Sequence, residues 1–189
     1  MKRSLFALAL AAPLFAAAQD LPQPSPKGKV EQVVGLTNVS VEYSRPSAKG
    51  RVVFGELVPF SKLWRLGANA NTLFSFDGPV VIGGNKVEAG KYSLFVTPEQ
   101  GAWIFHLNKN TELWGTDGYK PEENVAEWKA EAGGCEFTET LTIGFDEVKD
   151  ELVWLDVPYG NVLVFSTNYL HGGVINREPE TRWSMNCRL

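Results

Sequence analysis

The run Gly90-Lys91-Tyr92-Ser93-Leu94-Phe95-Val96-Thr97, the turn residues Pro98-Glu99-Gln100-Gly101, and then Ala102-Trp103-Ile104-Phe105-His106-Leu107-Asn108 together decide how this chain is read. Tyr92, Leu94 and Val96 share one parity, as do Trp103, Phe105 and Leu107. Side chains of an extended chain alternate between two faces, so an apolar residue at every second position marks a half-buried strand rather than a helix. The pattern recurs on either side. Val39, Val41 and Tyr43 alternate with Ser40, Glu42 and Ser44, and Leu141, Ile143 and Phe145 alternate with Thr140, Thr142 and Gly144. Between the runs stand turn residues: Asp77-Gly78-Pro79, Gly83-Gly84-Asn85, Ala89-Gly90 and Thr116-Asp117-Gly118. Short alternating strands at this spacing predict a mainly β domain, an antiparallel sandwich or barrel. Only Pro59–Leu66 and Pro121–Ala132 have room for a helical turn or two, and the second reads nearly as well as a strand.

Composition narrows the function classes. The 189 residues are 44% hydrophobic and 12% aromatic, with 6 Trp and 11 Phe, enough apolar surface for one folded domain plus appendages. The formal net charge is −4, and no basic cluster lies beyond Lys2-Arg3, so a phosphate-tracking nucleic-acid surface is not expected. With only two His and two Cys, at 106, 171, 135 and 187, the chain lacks the ligand spacing of a closed Cys/His zinc site. Motifs of the Gly-x-Ser-x-Gly, His-Glu-x-x-His or phosphate-loop type do not occur.

The N-terminus reads as an address. Lys2-Arg3 form a positive n-region, the apolar stretch Leu5–Ala18 is short for a bilayer helix, and Ala16-Ala17-Ala18 offers a small-x-small cleavage pattern. Residues 1–18 are thus expected to be a signal peptide and 19–28, with Pro22, Pro24 and Pro26, a leader before the domain. Cleavage would leave 16 basic against 22 acidic side chains, a charge of −6, and no membrane span. Export, to the periplasm or beyond, would permit a Cys135–Cys187 disulfide, but nothing in the sequence brings the two thiols together.

Val41-Glu42-Tyr43-Ser44-Arg45-Pro46, Lys49-Gly50-Arg51, Phe54-Gly55, Leu57-Val58-Pro59 and Trp64-Arg65-Leu66-Gly67-Ala68-Asn69 together resemble the exported bacterial family known as domain of unknown function 2911. Ala89–Leu94, Trp103-Ile104-Phe105, Trp114-Gly115 and Leu141–Phe145 extend the resemblance over about residues 29–153. It implies a mostly β domain outside the cytoplasm, here residues 29–154, and no reaction. Within it, Arg45, Arg51, Trp64, Arg65, Asn69 and Asn71 crowd a Gly- and Pro-containing stretch. Guanidinium and amide groups beside an indole can capture a carboxylate or a sugar; they can equally tie a long loop down by satisfying its carbonyls. The first alternative makes these residues a binding site for a small polar or anionic ligand.

The tail, residues 155–189, carries a second resemblance. Pro158–Phe165, Leu170-His171-Gly172 and Thr181-Arg182-Trp183-Ser184-Met185-Asn186-Cys187-Arg188 are similar to the end of a phytanoyl-hydroxylase-like, Fe(II)- and 2-oxoglutarate-dependent oxygenase. That likeness implies His171 as a metal ligand and Arg182, helped by Thr181 and Ser184, as the clamp on the cosubstrate carboxylate. A facial triad needs a second His and a carboxylate. The other histidine, His106, begins His106-Leu107-Asn108, with a neutral amide where the acid would stand. The tail therefore reads as an incomplete oxygenase segment, joined near Trp154 and adding edge strands to the sandwich. The expectation is an exported, non-catalytic β domain without a cofactor; the alternative is a dioxygenase using Fe(II) and 2-oxoglutarate.

Overall fold

The computed structural model describes residues 22–131, 137–149, 152–157 and 161–166. The alternating runs form strands: β1 Lys27–Val34, β2 Thr37–Ser44, β3 Thr72–Phe76, β4 Val80–Ile82, β5 Asn85–Val87, β6 Gly90–Pro98, β7 Ala102–Asn108, β8 Asn124–Glu131, β9 Gly144–Lys149, β10 Leu152–Val157 and β11 Asn161–Ser166. Every strand pairing is antiparallel, in two sheets ordered β1-β2-β3-β6-β7-β8 and β5-β4-β11-β10-β9. The sheets do not close into a barrel.

Register explains why the apolar parity fixes one buried face. Val41 pairs with Phe74 and Phe74 with Tyr92; Leu94 pairs with Leu107 and Leu107 with Ala126; Val96 pairs with Phe105 and Phe105 with Trp128. Each row spans three of the six strands on the inner face, and a one-residue slip would turn the whole set outward. Val80, Ile82 and Val87 of the second sheet belong to the same core cluster, with Ile143 and part-buried Leu141 and Phe145. Phe105 and Trp128 stack almost parallel, 5° apart at 5.3 Å between centroids.

Three expectations shift. Pro59–Leu66 is not helical; Trp64 in it makes an isolated bridge to Val96. Pro121–Glu123 is one 3₁₀ turn, and Asn124 onward is strand, because residues 124–130 alternate to bury Ala126, Trp128 and Ala130. The strand expected around Leu141 begins only at Gly144; residues 138–141 run instead beside Pro46–Lys49, through Leu141 N–H to Pro46 O (2.9 Å) and Ala48 N–H to Glu139 O (2.8 Å). The first strand of the tail also differs in place. β11 lies between β4 and β10, inside its sheet rather than at the edge, because the short β4–β5 hairpin takes the outer position.

Candidate functional site

The 27 residues between β2 and β3 leave the sheet at Arg45 and return at Asn71. A connection this long needs internal ties or a function, and this one has both ties and strain. Among the described residues, all four non-glycine residues of positive φ lie in it: Lys49 (52°), Ser61 (58°), Leu66 (52°) and Asn69 (59°). For a bulky residue such as Leu66 the left-handed region is unfavourable by about 1–2 kcal/mol. Full burial of its side chain and the bond from Thr72 Oγ1 to its carbonyl (2.8 Å) hold it there.

Trp64 anchors the loop to the sheet. It exchanges both main-chain hydrogen bonds with Val96 beyond the end of β3, so its indole falls on the inner face. There it meets Trp103 edge-on at 6.3 Å and Phe54 at 5.9 Å, while Nε1–H donates to Gly67 O at 3.1 Å. Around these rings opens a cleft of about 360 Å³, walled by Ser47, Arg51, Phe54, Trp64, Arg65 and Glu139. Leu57 in its lining is an exposed large hydrophobic residue, and Val52 and Phe137, likewise exposed, adjoin the lining residues Arg51 and Thr138 in the chain.

The six residues singled out from sequence do not converge on this cleft as a set. Arg51, Trp64 and Arg65 line it. Arg51 spends its Nε–H and Nη2–H on Ala48 O and Ser47 O, both at 2.8 Å. Arg45 turns to the 138–143 segment, donating to Leu141 O (3.2 Å) and, at 3.4 Å, to Thr142 Oγ1. Asn69 contributes its carbonyl, which accepts Gly115 N–H at 3.2 Å. Asn71 is buried on the outer face, where its amide donates to Ser93 Oγ and its N–H to Leu113 O. The loop-tying alternative thus describes Arg45, Arg51 and Asn71. Arg65 differs: its Nε is buried without an acceptor, and its Nη1 runs beneath Gly115, where a Cβ would sit 3.1 Å away. Glu139 is the member the sequence did not flag; its Oε1 accepts Lys49 N–H at 2.8 Å and it stands in the cleft wall.

His106 sits outside this site. Phe95, His106 and Glu127 are cross-strand neighbours on the outer face, and Tyr119 packs edge-on over Phe95 at 5.1 Å and His106 at 6.1 Å. Both imidazole nitrogens are engaged, Nε2 with Thr97 Oγ1 at 3.0 Å and Nδ1 with Glu127 Oε2 at 2.9 Å. Burial raises the Tyr119 hydroxyl above the usual phenol range, offset in part by its bond with Asn124. A carboxylate, an imidazole and a hydroxyl in a row resemble the order of a nucleophilic triad. Here the three groups stand on neighbouring strands β6, β7 and β8, with His106 paired to Phe95 on one side and Glu127 on the other. Among the described residues no group of three His, Cys, Asp or Glu stands ready for a metal.

The family described as Protein of unknown function (DUF2911) matches residues 25–165. The chain belongs to that family. The DUF2911 match covers the loop with its cleft, both sheets and nearly all of β11, so the junction expected near Trp154 falls inside it. It ends before His171, Thr181, Arg182 and Ser184, which lie outside the described residues, as do Cys135 and Cys187. No curated protein and no solved structure matches the chain significantly. No helix among the described residues is long and apolar enough to cross a membrane.

Proposed function

We propose that this DUF2911 protein is an exported binding domain that captures a small ligand carrying an acceptor group, a carboxylate above all, on an apolar or aromatic body. The charged-then-apolar start of the chain, with its Ala16–Ala18 pattern, supports export. One observation carries the binding reading: Arg65, whose buried Nε–H has no acceptor, is among the residues that line a cleft with Phe54 and Trp64. A buried donor without a partner costs about 1–3 kcal/mol, and a ligand oxygen that reached it as the Arg65 side chain turned toward the cleft would recover that cost. Arg is suited to this task because its fork matches a carboxylate while its plane tolerates an aromatic neighbour. A few polar groups in a mostly apolar concavity is also the usual make-up of a small-molecule site.

In this reading the domain acts as a binder. The test is thermal unfolding of the protein with benzoate, glucuronate or cellobiose as probes. An aromatic carboxylate is expected to raise Tm, since ligand at about 100 times its Kd stabilises by about 2.7 kcal/mol. Arg65→Met, which keeps the apolar stem, is expected to abolish the rise. Equal stabilisation of wild type and Arg65→Met, or stabilisation by none of the probes, refutes the reading.

A further inference from the structure

β1 is an edge strand whose outer side is unpaired among the described residues. Its register with β2 is continuous from Lys27↔Ser44 to Val34↔Thr37, and Arg45 N–H donates to Pro26 O in the same register. Hydrogen-bonded pairs alternate along an antiparallel ladder, so Gly28, Val30, Gln32 and Val34 bond to β2. Lys27, Lys29, Glu31 and Val33 therefore turn their N–H and C=O groups to the open side. These four side chains are also exposed, on the outer face of the sheet.

Natural edges are blunted by charge, proline or a cover because such a row templates pairing. Here Lys29 is balanced by Glu31, with which it forms an ion pair along the strand. The order Lys27-Gly28-Lys29-Val30-Glu31-Gln32-Val33 is self-complementary when reversed about Val30. In an antiparallel pair of two β1 strands centred there, Lys29 of one copy stands opposite Glu31 of the other, and Glu31 opposite Lys29. Both are outward-bonding positions, so these same pairs exchange the main-chain bonds. Lys27 then stands opposite Val33, which is 60% exposed in the single chain and would gain the cover of a methylene stem. Backbone parity and side-chain charge select one register, and that agreement does not follow from either alone.

We infer that β1 is a homotypic interface: two copies of this chain join edge to edge through β1 about a two-fold axis at Val30, making one continuous twelve-stranded sheet. An isologous contact of this kind requires a self-complementary patch, which the Lys29/Glu31 pair supplies. The inference does not depend on the ligand reading, although Ser25, two residues before β1, lines the Arg65 cleft.

Analytical ultracentrifugation of the purified protein from low micromolar to millimolar concentration tests this. Wild type is expected to sediment with the mass of two chains. Glu31→Lys, which places lysine against lysine twice, is expected to halve that mass. The double reversal Lys29→Glu with Glu31→Lys is expected to restore it, because the swapped strand is again self-complementary. Glu31→Pro removes an outward N–H while sparing the bonds to β2, since proline is tolerated on such an edge; it is expected to give a folded monomer by circular dichroism. A monomeric wild type at every concentration, or a dimer that survives both Glu31→Lys and Glu31→Pro, overturns the inference. Failure of the double reversal to restore the dimer overturns the register.

Discussion

Trp64 and Val96 exchange N–H to O bonds at 2.7 and 2.8 Å, so one residue of an otherwise irregular loop occupies the lane that β3 vacates beside β6. That lane sets the indole against both Phe54 and Trp103, which themselves meet at 4.8 Å, beside the cleft. Trp64→Ala is expected to destabilise the protein by about 2–4 kcal/mol, the lower part of the range for aromatic truncation because the ring is only half-buried. Urea unfolding measures it. Trp64→Phe should cost less, losing chiefly the bond to Gly67 O. A cost below 1 kcal/mol for the alanine variant would mean that the loop is held elsewhere.

Gly83 sets the β4–β5 turn directly against Trp128 of β8. Its φ is +54°, and a Cβ there would lie 2.2 Å from Trp128 Cβ, which is fixed to the β8 backbone. Nothing flexible can yield, so Gly83→Ala must lift the β4–β5 turn off Trp128 or distort β8. The expected loss is about 2–4 kcal/mol from overpacking and the left-handed backbone together. Gly84→Ala is the control: its φ is +80°, but no atom lies within 4 Å of its Cβ position, so only the backbone part should appear. Equal effects from the two variants would remove steric contact from the explanation.

Asp77 sets an acid-side prediction. Its carboxylate accepts the side-chain amide of Asn38 at 2.5 Å and Asn38 N–H at 2.7 Å, and these bonds hold its pKa below the ordinary value of 3.8. A carboxyl whose folded pKa is depressed stabilises the fold above its unfolded pKa, and that contribution fades as pH falls through the folded value. Stability should therefore drop below about pH 4 with a component that Asp77→Asn removes. NMR titration of the Asp77 carboxyl checks it directly. A midpoint at or above the ordinary value, or unchanged acid sensitivity in Asp77→Asn, contradicts the assignment.

The inner face of the large sheet was legible because its parity is unbroken: Tyr92, Leu94 and Val96 face Trp103, Phe105 and Leu107, and all six pack in or against the core. Loop chemistry was legible only in kind. Arg45, Arg51, Arg65, Asn69 and Asn71 do cluster in the long connection, but a guanidinium bonded to its neighbours' carbonyls reads the same in sequence as one left open. Only three-dimensional placement separates Arg51 from Arg65. Strand boundaries near Leu141 were missed for a related reason. Alternation predicts a regular strand, but residues 138–141 hold a bend at Glu139 and a single bridge at Thr140, and what they pair with is a loop nearly a hundred residues earlier. The position of β11 was unreadable because strand order depends on which short hairpin reaches the edge first.

Tyr43 ties β2 to the segment that leads into β9. Its hydroxyl oxygen accepts Ile143 N–H at 2.9 Å, one hundred residues away, and both side chains are buried. The register places Tyr43 on the inner face of β2, beside the point where the chain turns toward β9, so the phenol satisfies a backbone donor just before the second sheet begins. Tyr43→Phe keeps the ring and its packing but leaves that N–H buried without an acceptor. Removing one partner costs the desolvation of the other, about 1–3 kcal/mol, more than the loss of an exposed bond. Hydrogen exchange should report it locally: the Ile143 amide is expected to lose protection well beyond the global destabilisation, while amides of β6 and β7 follow the global value. Uniform loss across the domain would show that the bond secures the whole sandwich; unchanged exchange at Ile143 would show that water reaches this N–H and that the phenol is not its acceptor.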